Sequence, residues 1–268
     1  MTEFFTINGR TYAYTVQGEG TPLVLLHGFT GRKETWDPFF AKFAKGYQVI
    51  AIDLPGHGES FSQGVVTMTD FVEDFHLFMK NLVNEPFHLL GYSFGGRSAL
   101  SYAVQYPERI RTLILESASP GLRTKEERLQ RQESDRQLAE KIEREGVASF
   151  VDYWEAIPLF SSQKRLTEKA WRQQRKERLS QSASGLAMSL LGMGTGFQPS
   201  WWEDLDQINF PVLLIVGEED GKFVRINKEM ERQIPTAELQ KIKEAGHATH
   251  LEQPAIFLEY VKAFVDKN

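Results

Sequence analysis

Apolar and polar positions alternate along the chain in two rhythms. Short uninterrupted apolar runs at 23–26, 49–53, 87–91, 112–116 and 212–216 have the pattern of strands buried on both faces of a mostly parallel sheet. A further strand-like stretch lies at 239–242. Between these runs the apolar spacing lengthens to that of a helix. Thr67-Met68-Thr69-Asp70 reads as a capping box, and Phe71, Phe75, Phe78 and Leu82 recur behind it on one face. The last helix is predicted to start after Gln253-Pro254, because proline is tolerated in a first turn, and it carries Phe257, Tyr260, Val261, Phe264 and Val265. This alternation predicts an α/β sheet with helices on both faces.

The alternation stops between 123 and 207, where no strand-like run occurs. Four helices are expected there: 124–145, opened by a Thr124/Glu127 capping box, then 147–157, 167–179 and 185–191. The spacing therefore predicts one α/β core in two parts, 1–122 and 208–268, with a helical cap inserted at 123–207. Such an insertion belongs over the carboxyl ends of the strands, where these sheets bind ligands. It carries 14 Lys/Arg and 14 Asp/Glu. Balanced charge at helical spacing reads as a solvated face, with weak pairs such as Glu127–Arg131 and Glu140–Arg144 expected along it.

Composition narrows the function more than the fold. The 268 residues suffice for a large core, and the absence of cysteine excludes disulfides, a thiolate nucleophile and cysteine-based zinc sites. A net charge of −5 offers no basic field for nucleic acid. The N-terminus lacks a basic stretch leading into an apolar one, and no apolar run is long enough to cross a bilayer. The expectation is a cytoplasmic enzyme with neither nucleic-acid nor membrane partners, monomeric or weakly self-associating.

The candidate chemistry centres on Gly91-Tyr92-Ser93-Phe94-Gly95, a G-x-S-x-G sequence between an apolar strand and a helix-like segment at 96–106. In that setting the glycines allow a tight turn that lifts a serine oxygen above the sheet, the nucleophile elbow of the α/β-hydrolase fold. A serine hydroxyl needs a base, and the base needs an orienting acid. His247, in Ala245-Gly246-His247 after the last strand, is the candidate base. Glu218, Glu219 and Asp220 all follow the strand at 212–216, and Asp220 is favoured by position. The backbone N–H groups of Phe29, in the loop after the strand at 23–26, and of Phe94, after the nucleophile, are expected to form the oxyanion hole. His57 reads as structural, His76 and His88 as surface or packing residues, and His250 has no assignable role.

Beyond these motifs, the sequence resembles the 2-succinyl-6-hydroxy-2,4-cyclohexadiene-1-carboxylate synthases of menaquinone biosynthesis over nearly its whole length. The resemblance is carried by Leu26-His27-Gly28-Phe29-Thr30-Gly31, Asp53-Leu54-Pro55-Gly56-His57-Gly58 and Gly91 through Arg97. Within the insertion it is carried by Arg131-Gln132-Glu133-Ser134-Asp135-Arg136, by Trp154 with Pro158-Leu159-Phe160, and by Gly192-Met193-Gly194-Thr195-Gly196. Ser119-Pro120-Gly121-Leu122 and Gly217 through Phe223 extend it.

The resemblance implies an elimination in which Ser93, His247 and Asp220 act together as a general base, with no acyl-enzyme. It implies a small-molecule substrate with three carboxylates, bound by Arg97, Arg131 and a third arginine. Arg178 is preferred for the third, with Arg175 one turn earlier on the same face. Tyr92 and Trp154 complete the implied pocket. Neither a metal nor an organic cofactor is implied. The alternative within enzymes is a carboxylesterase or C–C bond hydrolase that uses Ser93 covalently. The alternative outside them is a ligand-binding receptor on the same fold.

Overall fold

The computed structural model describes residues 1–268. β1 (Thr2–Ile7) and β2 (Arg10–Gln17) form an antiparallel hairpin, followed by β3 (Pro22–Leu26), α1 (Asp37–Phe43) and β4 (Gln48–Ile52). Then come α2 (Met68–Leu82), β5 (Phe87–Tyr92), α3 (Phe94–Gln105) and β6 (Ile110–Glu116). α4 (Lys125–Ala156), α5 (Glu168–Leu179) and α6 (Ala183–Met193) follow without an intervening strand. β7 (Val212–Gly217), α7 (Gly221–Gln233), β8 (Ala237–Ile242), α8 (Thr249–Glu252) and α9 (Pro254–Lys267) close the chain.

The eight strands run in the order β1-β2-β4-β3-β5-β6-β7-β8, parallel from β4 to β8. Strand periodicity divides the interior. Val24, Leu26, Leu89 and Leu113 face one core with α2, α3 and α7, while Leu23, Leu25, Leu90 and Ile114 face the other with α1 and α9. The hairpin was not foreseen from the apolar runs. Its strands lie at the sheet edge and are largely half-exposed, so they alternate instead of forming a run.

In the helical segment, Thr124 caps α4 by accepting the Glu127 N–H, and Gly146 interrupts the helix with φ +80°. The expected pairs of this segment are not those that form. Glu127 turns back to the Thr124 N–H, Arg131 pairs instead with Asp135 at 2.7 Å, and Arg144 pairs with Glu145 at 3.0 Å. Ala139, Ile142, Phe150, Leu186 and Leu190 make a separate small core between α4 and α6. The segment is seated on the loops after β3 and β4. Gln181 donates to the carbonyls of Thr30 and Gly31 and accepts the Gly58 N–H, while Thr35 bonds Glu177. Gly56 (φ +77°) and Gly185 meet backbone to backbone, with no room for a Cβ on either. No helix is long and apolar enough to cross a membrane.

Candidate active site

Ser93 is the single residue between β5 and α3, with φ +49° and ψ −101°. This is a strained conformation for a residue with a side chain. The surroundings enforce it. The Ser93 N–H is held by the Glu116 carbonyl at 2.8 Å, and a side chain at Gly95 would collide with the carbonyls of Leu26 and His27.

His247 lies in the turn between β8 and α8. Its Nε2 is 2.8 Å from Ser93 Oγ and its Nδ1 is 2.6 Å from Asp220 Oδ2. Both His247 and Asp220 are buried. With Nδ1–H donated to the carboxylate, Nε2 is free to accept the serine proton. Of the three candidate acids, Glu218 and Glu219 are exposed and Glu219 binds Arg165, so Asp220 alone meets the imidazole.

The N–H groups of Phe29 and Phe94 have no acceptor within the chain. Both residues sit where backbone donors are left over, Phe29 in a turn and Phe94 at the first position of α3. The Phe29 loop is fixed by His27, whose Nδ1–H donates to the Gly28 carbonyl at 2.8 Å and whose Nε2 accepts the Leu54 N–H at 3.0 Å. Burial pushes the His27 pKa down to about 4, which keeps it neutral in that double role. His57, also buried, packs between His27, Phe29 and Phe94 as expected of a structural residue.

The arginines differ sharply in what they meet. Arg97, on the first turn of α3, donates to the Met193 carbonyl at 3.0 Å and Gln198 Oε1 at 2.7 Å, and has no carboxylate in contact. Burial, followed by the charge of Arg131, pushes its pKa down to about 9. Arg131 is 42% exposed and holds the buried Asp135. Arg178 is buried over the Phe160 ring, donating to Glu155 at 3.1 Å and Gln163 at 3.3 Å. Arg175 is occupied by Asp152 and Glu155 at 2.5 and 2.6 Å. Trp154 packs edge-on against Phe29, ring centroids 5.4 Å apart, and Tyr92 lies 5.6 Å from the His247 ring.

Residues 21–254 match the family model described as alpha/beta hydrolase fold. A protein from Bacillus subtilis (strain 168) is 43% identical over 96% of both chains. The 2-succinyl-6-hydroxy-2,4-cyclohexadiene-1-carboxylate synthase of Enterobacter sp. (strain 638) is 33% identical, over 93% of this chain and 92% of its own. Among solved structures, MenH from S. aureus is similar with a TM-score of 0.92 and 36% identity, over 96% of this chain and 98% of that one. The chain belongs to this synthase family. A more distant similarity, 27% identity and a TM-score of 0.89, is to a thermophilic esterase from Thermogutta terrifontis, covering 100% of this chain and 98% of the esterase.

Several residues around the site are given no role by the sequence. Besides His27 they are Glu116, His250 and Lys222. Lys222, exposed in the first turn of α7, has its pKa lowered by partial desolvation and by the charge of Arg131, against the opposing effect of Asp220. The ring of His250 lies 4.6 Å from Tyr92 and its Nδ1 meets Glu116. A charged residue ending an apolar strand, as Glu116 does, was the one available signal. A cavity of about 460 Å³ adjoins the site, with Gly28, Phe29, Tyr92, Arg178 and His250 in its wall. No group of three or more His, Asp or Glu side chains is arranged to hold a metal ion.

Proposed function

We infer that this synthase eliminates pyruvate from 2-succinyl-5-enolpyruvyl-6-hydroxy-3-cyclohexene-1-carboxylate, giving 2-succinyl-6-hydroxy-2,4-cyclohexadiene-1-carboxylate. The observation that carries this reading is Arg97: a half-buried guanidinium with no carboxylate partner, one helical turn beyond Ser93. A cation held in that state is complementary to an anionic ligand.

Ser93 Oγ takes the ring proton acidified by the succinyl carbonyl as its own proton passes to His247 Nε2. Asp220 holds the imidazole in the right tautomer and stabilises the imidazolium. The electrons of the broken C–H bond collect on the succinyl carbonyl oxygen, which the Phe29 and Phe94 N–H groups stabilise. They then return to form a C2=C3 double bond while the existing C3=C4 bond shifts to C4=C5 and the C5–O bond to the enolpyruvyl group breaks. That group leaves as the enolate of pyruvate and takes up a proton, replacing the one given to His247, to become pyruvate. Arg97, Arg131 and Arg178 bind the three carboxylates, with Tyr92 and Trp154 in the pocket wall. The helical segment 123–207 acts as a cap over the site.

The test is to generate the substrate enzymatically in the presence of the protein and follow pyruvate release together with diene absorbance. Protein quenched during turnover keeps its unmodified mass, and deuterium at the abstracted position slows the step in single turnover, where product release cannot mask it. An acyl-Ser93 adduct on the route to product, without an isotope effect, would place the chain among the hydrolases.

A further inference from the structure

Two buried glutamines stand behind the arginines. Gln198 Oε1 accepts from Arg97 at 2.7 Å, and Gln163 Oε1 accepts from Arg178 at 3.3 Å. A guanidinium can only donate, so each amide must turn its oxygen toward the arginine. The orientation of both amides is thereby fixed, and each NH₂ group is left over. Neither Nε2 has a partner in the chain, although Gln198 is 0% and Gln163 is 5% exposed. Buried polar groups are nearly always paired, so two orphans in matching positions require a reason.

The partners chosen by the arginines supply it. Arg175 lies outside and is occupied by two carboxylates. Arg97 is held without a carboxylate, and Arg178 has one carboxylate, Glu155, beside its glutamine. A glutamine steers an arginine as a glutamate would, but leaves its charge uncancelled and adds a donor at its side. We propose that Gln198 and Gln163 are substrate-binding residues, each forming with its arginine a paired clamp in which guanidinium and amide hold one carboxylate together. This rests on the tricarboxylate substrate inferred above.

Gln198→Glu and Gln163→Glu test this role against one in packing alone. Glutamate preserves the acceptor that steers the arginine but sets a negative charge against the bound carboxylate. Each variant is expected to lose at least about 30-fold in kcat/KM for pyruvate release, mainly through KM, the low end of effects at desolvated charge contacts. Gln198→Glu should melt no lower than the wild type, because it gives Arg97 a counter-ion. Activity within about threefold of wild type in either variant overturns the clamp at that arginine. Should a glutamate variant fail to fold, Gln→Met at the same position removes both the donor and the acceptor without adding charge, and an unchanged KM there overturns the clamp equally. Failure of the wild type itself to release pyruvate would instead refute the tricarboxylate reading.

Discussion

Glu116 and His250 face each other in the interior, with the imidazole Nδ1 2.9 Å from the carboxylate Oε2. The same carboxylate accepts the Thr249 hydroxyl at 2.7 Å and the His250 N–H at 2.9 Å, while the Glu116 carbonyl accepts the Ser93 N–H. One residue at the end of β6 thus holds the Ser93 turn by its backbone and the segment following His247 by its side chain. Glu116→Ala leaves these donors buried without an acceptor and should cost about 3–5 kcal/mol in urea unfolding, the range for breaking a buried pair. Wild-type stability in that variant would show the contact to be dispensable.

The triad should behave as a unit. Ser93→Ala and His247→Ala are each expected to lower kcat by roughly 10³–10⁶, and the double variant by little more. Asp220→Asn should cost less, since it orients the base and transfers no proton. Glu219→Gln, at the exposed pair with Arg165, should leave kcat unchanged. Multiplying losses in the double variant would argue against the assignment.

For the arginines, Arg97→Ala and Arg178→Ala should each lose roughly 2–5 kcal/mol in kcat/KM, as expected when one side of a desolvated ion pair is truncated. Arg131→Ala should fall toward the lower end, because its side chain is 42% exposed and already holds Asp135. Arg175→Ala and Arg144→Ala should change little. A larger loss for Arg175→Ala than for Arg178→Ala would move the third carboxylate contact outward by one turn.

Acid should destabilise the fold through its buried histidines. Burial pushes His27 and His88 from an ordinary value of 6.5 down to about 4, and His57 to about 3. Between pH 6.5 and 4 the unfolded chain binds protons that the folded one refuses, so each histidine removes about 1.4 kcal/mol per pH unit on acidification. Glu177 works in the other direction. Burial raises it to about 7, so its contribution is present below 4.5 and lost as pH rises through 7. His88→Gln keeps a partner for Thr112 but cannot titrate, and its unfolding free energy should fall less steeply than that of the wild type over this window. Parallel slopes would contradict a neutral buried His88.

The strands buried on both faces were readable because an apolar run is a direct imprint of burial. The β1–β2 hairpin escaped that criterion, being half-exposed at an edge. Ser93, His247 and Asp220 were legible because the elbow imposes a local sequence and the other two follow particular strands. Glu116 and His250 were not, because the contact joins residues 134 positions apart and leaves no local pattern. Arg131 illustrates a finer limit. Helical spacing allows partners on either side, and only packing selects Asp135, buried beside Gly194, over Glu127, which is taken by the helix cap.

The back-to-back contact of Gly56 and Gly185 gives the cap a bearing surface with no tolerance for thickness. A single methyl group at either position would act as a shim, meeting the facing carbonyl oxygen at less than contact distance and forcing the two backbones apart. Gly185→Ala therefore bears on how the helical segment is seated over the loop after β4, at a point remote in sequence from Ser93, Asp220 and His247.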